Sequence, residues 1–120
     1  MASRLARISA LRIPSPSDHI EAAWYRFYAF VRPEKLNRDW DRDRILEAIN
    51  AEGVPCFAGS CSEVYLEKAF SDVRPAQRLP MARELGKTSL AFLVHPTLTG
   101  ADIEDACQAV EKVLAAASSP

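Results

Sequence analysis

Gly53-Val-Pro-Cys-Phe-Ala-Gly-Ser-Cys-Ser-Glu-Val-Tyr-Leu-Glu-Lys-Ala-Phe70 is the stretch around which this 120-residue chain is organised. Gly53 reads as the left-handed stop of a preceding helix. The short apolar run from Val54 to Ala58 predicts a strand. At Gly59-Ser60-Cys61-Ser62 the run breaks into a polar loop, which carries Tyr65 and Phe70 and lasts to residue 78. Small polar residues hung on a strand end are a common place for binding groups. The rest of the chain must supply a sheet for this strand and helices to cover it.

Upstream, Asp39 or Asp41 can cap a helix over 39–52 whose buried stripe is Ile45, Leu46 and Ile49. The alternating charges Asp39, Asp41, Arg42, Asp43 and Arg44 read as its solvated first turn, not as a metal loop. Residues 22–32, Ala-Ala-Trp-Tyr-Arg-Phe-Tyr-Ala-Phe-Val-Arg, are aromatic and β-branched and are closed by Pro33. They predict a strand with Tyr25, Phe27, Ala29 and Val31 on one face and Trp24, Arg26, Tyr28 and Phe30 on the other. Apolar bulk on both faces makes it central. Residues 1–20 read as the end of a helix, with Leu5, Ile8 and Leu11 at helical spacing. An irregular crossing follows at Pro14 and Pro16.

Downstream, Pro80 suits a first helical position, and Met81 to Leu85 form a short helix that Gly86 is expected to stop. Thr88-Ser-Leu-Ala-Phe-Leu-Val94 is a buried strand ended by His95-Pro96. Thr99 and Asp102 approximate a capping box. Ile103, Ala106, Val110, Val113 and Leu114 then give an amphipathic helix. The order is β-α-β-(loop, short α)-β-α. It predicts an α+β fold: a small two-layer domain of about three strands with helices mainly on one face. Residues 1–20 form the helix tail and entry segment, 21–117 the domain, and 118–120 a disordered end.

Composition narrows the function. Fifteen basic residues against sixteen acidic ones give a net charge of −1, so no global field favours nucleic acid or a membrane surface. Arg4, Arg7 and Arg12 are the only local excess. No apolar run is long enough to span a bilayer, and no secretory signal opens the chain. Three cysteines without a C-x-x-C pair suit a reducing cytoplasm.

Motif by motif, little catalytic chemistry stands out. Gly86-Lys87-Thr88 imitates the end of a phosphate-binding loop, but Met81 occupies the place of the first glycine, and the strand and helix come in the reverse order. Cys56, Cys61 and Cys107 with His19 and His95 lack zinc-ligand spacing and read as core and loop thiols. His95, at a strand end, reads as structural. Trp24, Tyr25 and Tyr28 could stack on a base or sugar, although strand spacing favours core and interface roles.

Four stretches together resemble a known family. They are Ala23-Trp-Tyr-Arg-Phe-Tyr28, Gly53-Val-Pro-Cys-Phe57, Gly59-Ser-Cys-Ser-Glu-Val-Tyr65 with Glu67-Lys-Ala-Phe70, and Leu79-Pro-Met-Ala-Arg-Glu-Leu-Gly86 before Ser89-Leu-Ala-Phe-Leu-Val-His-Pro96. From about Leu11 to Leu114 the chain resembles the C-terminal domain of the DegT/DnrJ/EryC1/StrS family, pyridoxal-phosphate-dependent aminotransferases that act on nucleotide-linked keto-sugars. Two positions depart from the family. Ala22 stands where its aromatic strand usually begins with His, and Gly59, Ser60 and Cys61 replace a His-Tyr-Pro that lies near the nucleotide-sugar across the dimer.

The resemblance implies the small C-terminal domain of the aspartate-aminotransferase-like fold, in a cytoplasmic homodimer serving polysaccharide or amino-sugar biosynthesis. It implies an N-terminal large domain, missing here, that carries the cofactor lysine and the Asp at the pyridine nitrogen. No cofactor is therefore expected in this chain. Lys35, Lys68, Lys87 and Lys112 all sit in charged or terminal contexts unsuited to a Schiff base. The expected substrate-binding residues are Gly59, Ser60, Cys61, Ser62 and Tyr65. A chain that begins inside a helix fits a fragment of such an enzyme, inactive alone, whose surface toward the large domain is apolar. The alternatives are a free-standing nucleotide-sugar-binding or assembly module that lost the catalytic domain, and an unrelated small regulatory α+β domain. A long upstream reading frame with a cofactor lysine favours the first reading, and a genuine start codon at Met1 favours the module; replacing Ser60 and Ser62 by Ala in the complete enzyme tests the loop's part through the Michaelis constant for the sugar.

Overall fold

The computed structural model describes residues 1–118. Four strands form one antiparallel sheet in the order β1-β2-β4-β3: β1 Leu11–Arg12, β2 Arg26–Val31, β3 Cys56–Phe57 and β4 Ser89–Leu93. β2 is central as its two-sided apolar character predicts, pairing Arg12 with Phe30 on one edge and Tyr28 with Ala91 on the other. β3 pairs with β4 through Cys56–Phe92 and Phe57–Ala91. The sequence gives about three strands; the fourth is β1, two residues inside the entry segment. Too short to carry a period-2 signal, β1 is held by Leu11 against Val31 and by the Arg32 N–H donating to the Ala10 carbonyl.

Side-chain alternation sorts the sheet into two faces. Phe27, Ala29 and Val31 of β2 are buried with Leu90 and Phe92 of β4 and Cys56 of β3. This layer packs against α2 (Arg42–Ala51) through Ile45 and Ile49, and against α4 (Gly100–Ala117) through Cys107, Val110, Val113 and Leu114. The short helix α1 (Ala2–Leu5) adds Leu5, which is fully buried, and ties to α4 through Arg4, whose guanidinium reaches Glu104 and Glu111 at 2.6 Å each. Arg12, on the other sheet face, lies over the Phe30 ring at 4.4 Å. Two of the three N-terminal arginines thus have fixed partners within the fold.

Caps agree with the residues that predict them. Asp41, rather than Asp39, accepts from the Arg44 N–H at 2.8 Å to start α2. Gly53 has φ +85 just past the end of α2. Thr99 and Asp102 form the complete capping box of α4.

Three expectations are corrected. Strand β2 begins at Arg26, not Ala22, because its last partner is Leu93 and β4 ends there. Trp24 and Tyr25 therefore lie outside the ladder: Trp24 leans on Phe27 with ring centroids 5.8 Å apart, and Tyr25 is 84% exposed. Gly86 does not stop a helix. Helix α3 (Pro80–Thr88) continues through it and passes directly into β4, where pairing of Ser89 with Phe30 ends the helical conformation. Ser118, expected in a disordered tail, forms an isolated antiparallel bridge with Leu36. Residues 119–120 of that tail lie outside the described residues.

Helix α3 takes the face of the sheet opposite α2 and α4. Its Glu84 and Thr88 share a surface concavity with Arg12 and Phe30, which point away from the core. It sets the stage for the loop that leaves β3.

Candidate functional site

The loop starts where β3 leaves the sheet, and its first residue must be glycine. Gly59 has φ +88, and a Cβ there would stand 2.8 Å from Tyr28 Cε1 and 3.3 Å from Ser89 Oγ. Both the left-handed backbone and the approach to the aromatic strand exclude a side chain. The strand ends at this point are bolted together. Ser89 Oγ donates to the Ala58 carbonyl at 2.5 Å, and Arg42 Nη1 donates to the Ser89 carbonyl at 3.0 Å. Arg42 Nε also donates to Asp43 at 2.7 Å. Arg42 belongs to a charged run expected to be solvated, yet only 14% of its side chain is exposed. A charge alternation in sequence cannot show which member turns inward.

Past Gly59 the chain lies over α3. A Cβ built on Gly86 would fall 2.2 Å from Ser62 Oγ. The absence of a side chain at position 86 is thus what lets the Ser62 side chain rest on the helix. The glycine that reads as a helix stop is a contact residue.

The far end of the loop is closed by a charged clasp. Arg78 Nε donates to Glu63 Oε1 at 2.9 Å, and its Nη2 donates to Oε2. The Tyr65 hydroxyl donates to Glu63 Oε1 at 2.7 Å and accepts from the Leu79 N–H at 3.0 Å. The Arg78 guanidinium, seconded by the tyrosine hydroxyl, holds the Glu63 carboxyl down at about 2. Between the clasped ends run two 3₁₀ segments, Val64–Leu66 and Lys68–Val73, where a helical turn was expected.

Of the five residues expected to bind substrate, Gly59, Ser60, Cys61 and Ser62 come together. They line one concavity of about 400 Å³ with Glu63, Arg83, Gly86 and Lys87. Tyr65 is not on this lining, and its hydroxyl serves the clasp. Cys61 is exposed, with Sγ 3.7 Å from Glu67 Oε1. Arg83 is not singled out in the sequence, and Lys87 is weighed there only in the Gly86-Lys87-Thr88 motif and as a Schiff-base lysine. The available signal was their spacing: four residues apart on a helix places both on one face.

Other groups have structural partners. Cys56 and Cys107 are buried, and burial pushes the Cys56 thiol up to about 12. His95 Nδ1 lies 2.7 Å from Thr97 Oγ1. Among the described residues, no group of three or more His, Cys, Asp or Glu is placed to hold a metal ion. Among the same residues, no helix is long and apolar enough to cross a membrane.

No protein-family model and no curated protein matches the sequence. Solved structures do. An aminotransferase from Psychrobacter cryohalolentis superposes with a TM-score of 0.88 at 45% identity, covering 96% of this chain and 32% of that one. The chain resembles the C-terminal domain of an aminotransferase. A DegT DnrJ EryC1 StrS aminotransferase from Brucella abortus shares the fold at TM-score 0.74 and 19% identity, covering 92% of this chain and 27% of its own. So does NtdA from Bacillus subtilis, solved with its bound cofactor PMP, at TM-score 0.72 and 18% identity over 95% and 25%. This aminotransferase-type domain spans about a third or less of the solved chains it matches.

The domain's own residues do not make a pyridoxal phosphate site. Lys35, Lys68, Lys87 and Lys112 are all exposed, and Lys112 is paired with Glu52 at 2.8 Å. None sits in the dry, enclosed setting that activates a Schiff-base lysine.

Proposed function

We propose that this chain is the C-terminal domain of a pyridoxal-phosphate-dependent aminotransferase that moves an amino group from an amino-acid donor, glutamate by preference, onto a nucleotide-linked keto-sugar. The observation that carries this reading is 45% identity over 96% of the chain to one aminotransferase, with the same fold throughout. The missing large domain would supply the cofactor, its lysine and the reacting atoms. This domain would supply a wall of the cleft, not catalysis by itself. Gly59 to Ser62 would face the substrate, with the Ser60 and Ser62 hydroxyls and adjacent N–H groups offering donors. Exposed apolar residues such as Phe57, Leu93 and Val94 would meet the large domain or a second subunit in a cytoplasmic homodimer. The pathway served would be amino-sugar or cell-surface polysaccharide synthesis.

Two experiments test this reading. The DNA upstream of the Met1 codon should continue in frame into a large domain with a cofactor lysine. The resulting enzyme, given glutamate and a panel of nucleotide-linked keto-sugars, should yield an amino sugar detectable by mass spectrometry. Transfer only to free keto acids, with every nucleotide-linked sugar refused, overturns the substrate assignment.

A further inference from the structure

Away from the 59–63 loop, a second cavity opens where α1, α4 and the turn into β3 converge. It measures about 260 Å³ and is lined by Met1, Val54, Phe92, Leu98, Ile103 and Ala106 among others. Phe92 is buried and the other five are half-buried, so the core has an open apolar edge here. Met1 packs against the core on the same face as the fully buried Leu5, one helical turn further on. Helix α1 is held in a fixed direction along this edge. Arg4 Nε and Nη2 donate to the two Glu111 oxygens at 2.6 and 2.7 Å, and Nη1 donates to Glu104 at 2.6 Å. With Met1 beside Ile103 and Ala106 and Arg4 reaching on to Glu111, α1 runs alongside α4 in the same direction. Yet α1 does not look like the start of a helix. Four residues have no helical stability of their own, and the Met1 carbonyl already accepts from the Arg4 and Leu5 N–H groups. Met1, at the cap position, supplies no side-chain acceptor, and the first turn holds no acidic residue. The Ala2 and Ser3 N–H groups therefore have no acceptor among the described residues. Helices α2 and α4, by contrast, begin on Asp41 and Thr99.

We propose that this cavity is the seat of the segment that leads into α1, which continues the helix backwards along α4 and closes the apolar edge. Residues three or four before Met1 share its helix face, so an apolar side chain there would pack against Leu98 and Ile103. The carbonyls of that preceding turn would accept from the Ala2 and Ser3 N–H groups. The Arg4 clamp fixes the direction in which this segment arrives. The inference rests on the aminotransferase reading for the existence of a preceding chain, the 45%-identical aminotransferase extending well beyond the 32% of its length that is matched here. It goes beyond that reading in naming the segment, its conformation and the surface it buries.

The 120-residue chain is compared with the same chain lengthened by the codons for the two preceding helical turns, about seven residues. Each is made with Ala2 and with Ala2→Pro. In the lengthened chain the unfolding constant from urea titration should fall about tenfold or more, as for burial of one large apolar side chain. The Ala2 and Ser3 amides should exchange with solvent about tenfold more slowly, and the nitrogen-15 amide signals of Val54, Leu98, Ile103 and Ala106 should shift. Proline separates helix continuation from mere burial. It is tolerated at a first helical position, so the 120-residue chain should keep its urea midpoint. Inside a continuing helix it removes a hydrogen bond and clashes with the turn before it, so in the lengthened chain it should abolish the gain. An equal effect of proline in both chains, unchanged exchange at Ala2 and Ser3, or unmoved cavity amides overturns the inference. Cavity shifts that grow with protein concentration assign the edge to a second copy and equally overturn it. The two readings fail separately wherever a preceding chain exists. If the segment seats and no keto-sugar is aminated, the inference stands and the substrate class falls. If keto-sugars are aminated and the cavity amides stay unmoved, the reverse holds. A reading frame closed before Met1 overturns both.

Discussion

Replacing Gly86 by Ala sets two effects of similar size against each other. Within a helix, alanine is favoured over glycine by up to about 1 kcal/mol, and α3 continues two residues past Gly86. Against this, the new Cβ falls 2.2 Å from Ser62 Oγ and 3.3 Å from Ser62 Cβ. Rotation about the serine Cα–Cβ bond removes the first contact, but the second requires the loop to yield by a few tenths of an ångström. Overpacking of this kind costs about 1–2 kcal/mol. The single variant should therefore be close to neutral, or slightly destabilised, in urea unfolding followed by circular dichroism. In a Ser62→Gly background both obstructing atoms are gone, and Gly86→Ala should stabilise the chain by most of its intrinsic preference. The double-mutant cycle should return a coupling of about 1–2 kcal/mol. If Gly86→Ala stabilises equally in both backgrounds, Ser62 does not rest on α3, and the concavity between them loses its floor.

Glu63 titrates lower in the folded chain, at about 2 against an ordinary 4.5. It therefore contributes stability that is complete above the ordinary carboxylate range and is lost as pH falls through about 2. Glu63→Gln should lower the melting temperature at pH 7 and flatten the acid limb between those limits; parallel acid limbs for the two proteins would contradict the clasp. Gly59→Ala should cost about 2 kcal/mol or more, from the left-handed backbone together with the 2.8 Å approach to Tyr28, and an unchanged urea midpoint would show that the loop leaves β3 differently. Native chain treated with iodoacetamide should gain one adduct, at exposed Cys61, while buried Cys56 and Cys107 react only after unfolding. Rapid native labelling of Cys56 would contradict its burial.

The fold was legible wherever one residue type has a single use. Asp41, Gly53 and Thr99 with Asp102 mark helix ends through hydrogen-bonding chemistry that acts within three or four residues, and each behaves as its chemistry predicts. The alternation in β2 shows its two faces for the same reason, since period 2 is a local property. What escaped depends on distant partners. β1 exists because Val31 and Phe30 offer it an edge, and two residues carry no period of their own. Tyr25 would have continued the alternation had β4 been longer. Gly86 is the sharpest case: glycine near a helix end usually terminates it, whereas here its missing side chain makes room for a residue 24 positions earlier.

The site was legible in outline and hidden in its chemistry for the same reason. The break at Gly59 locates the loop, because a glycine followed by small polar residues after an apolar run needs no partner to be recognised. Charge, by contrast, acquires meaning only from its neighbours. Arg42, Arg78, Arg83 and Lys87 look alike in sequence, yet Arg42 is spent on the carbonyl that ends one strand loop and Arg78 on a carboxylate that closes another. Arg83 adds to the field that holds the Glu63 carboxyl down, and Lys87 stands in the last turn of α3, where a cation suits the helix end. The near-zero net charge of the chain supplies no global field toward a polyanion such as nucleic acid, and says nothing of local charge.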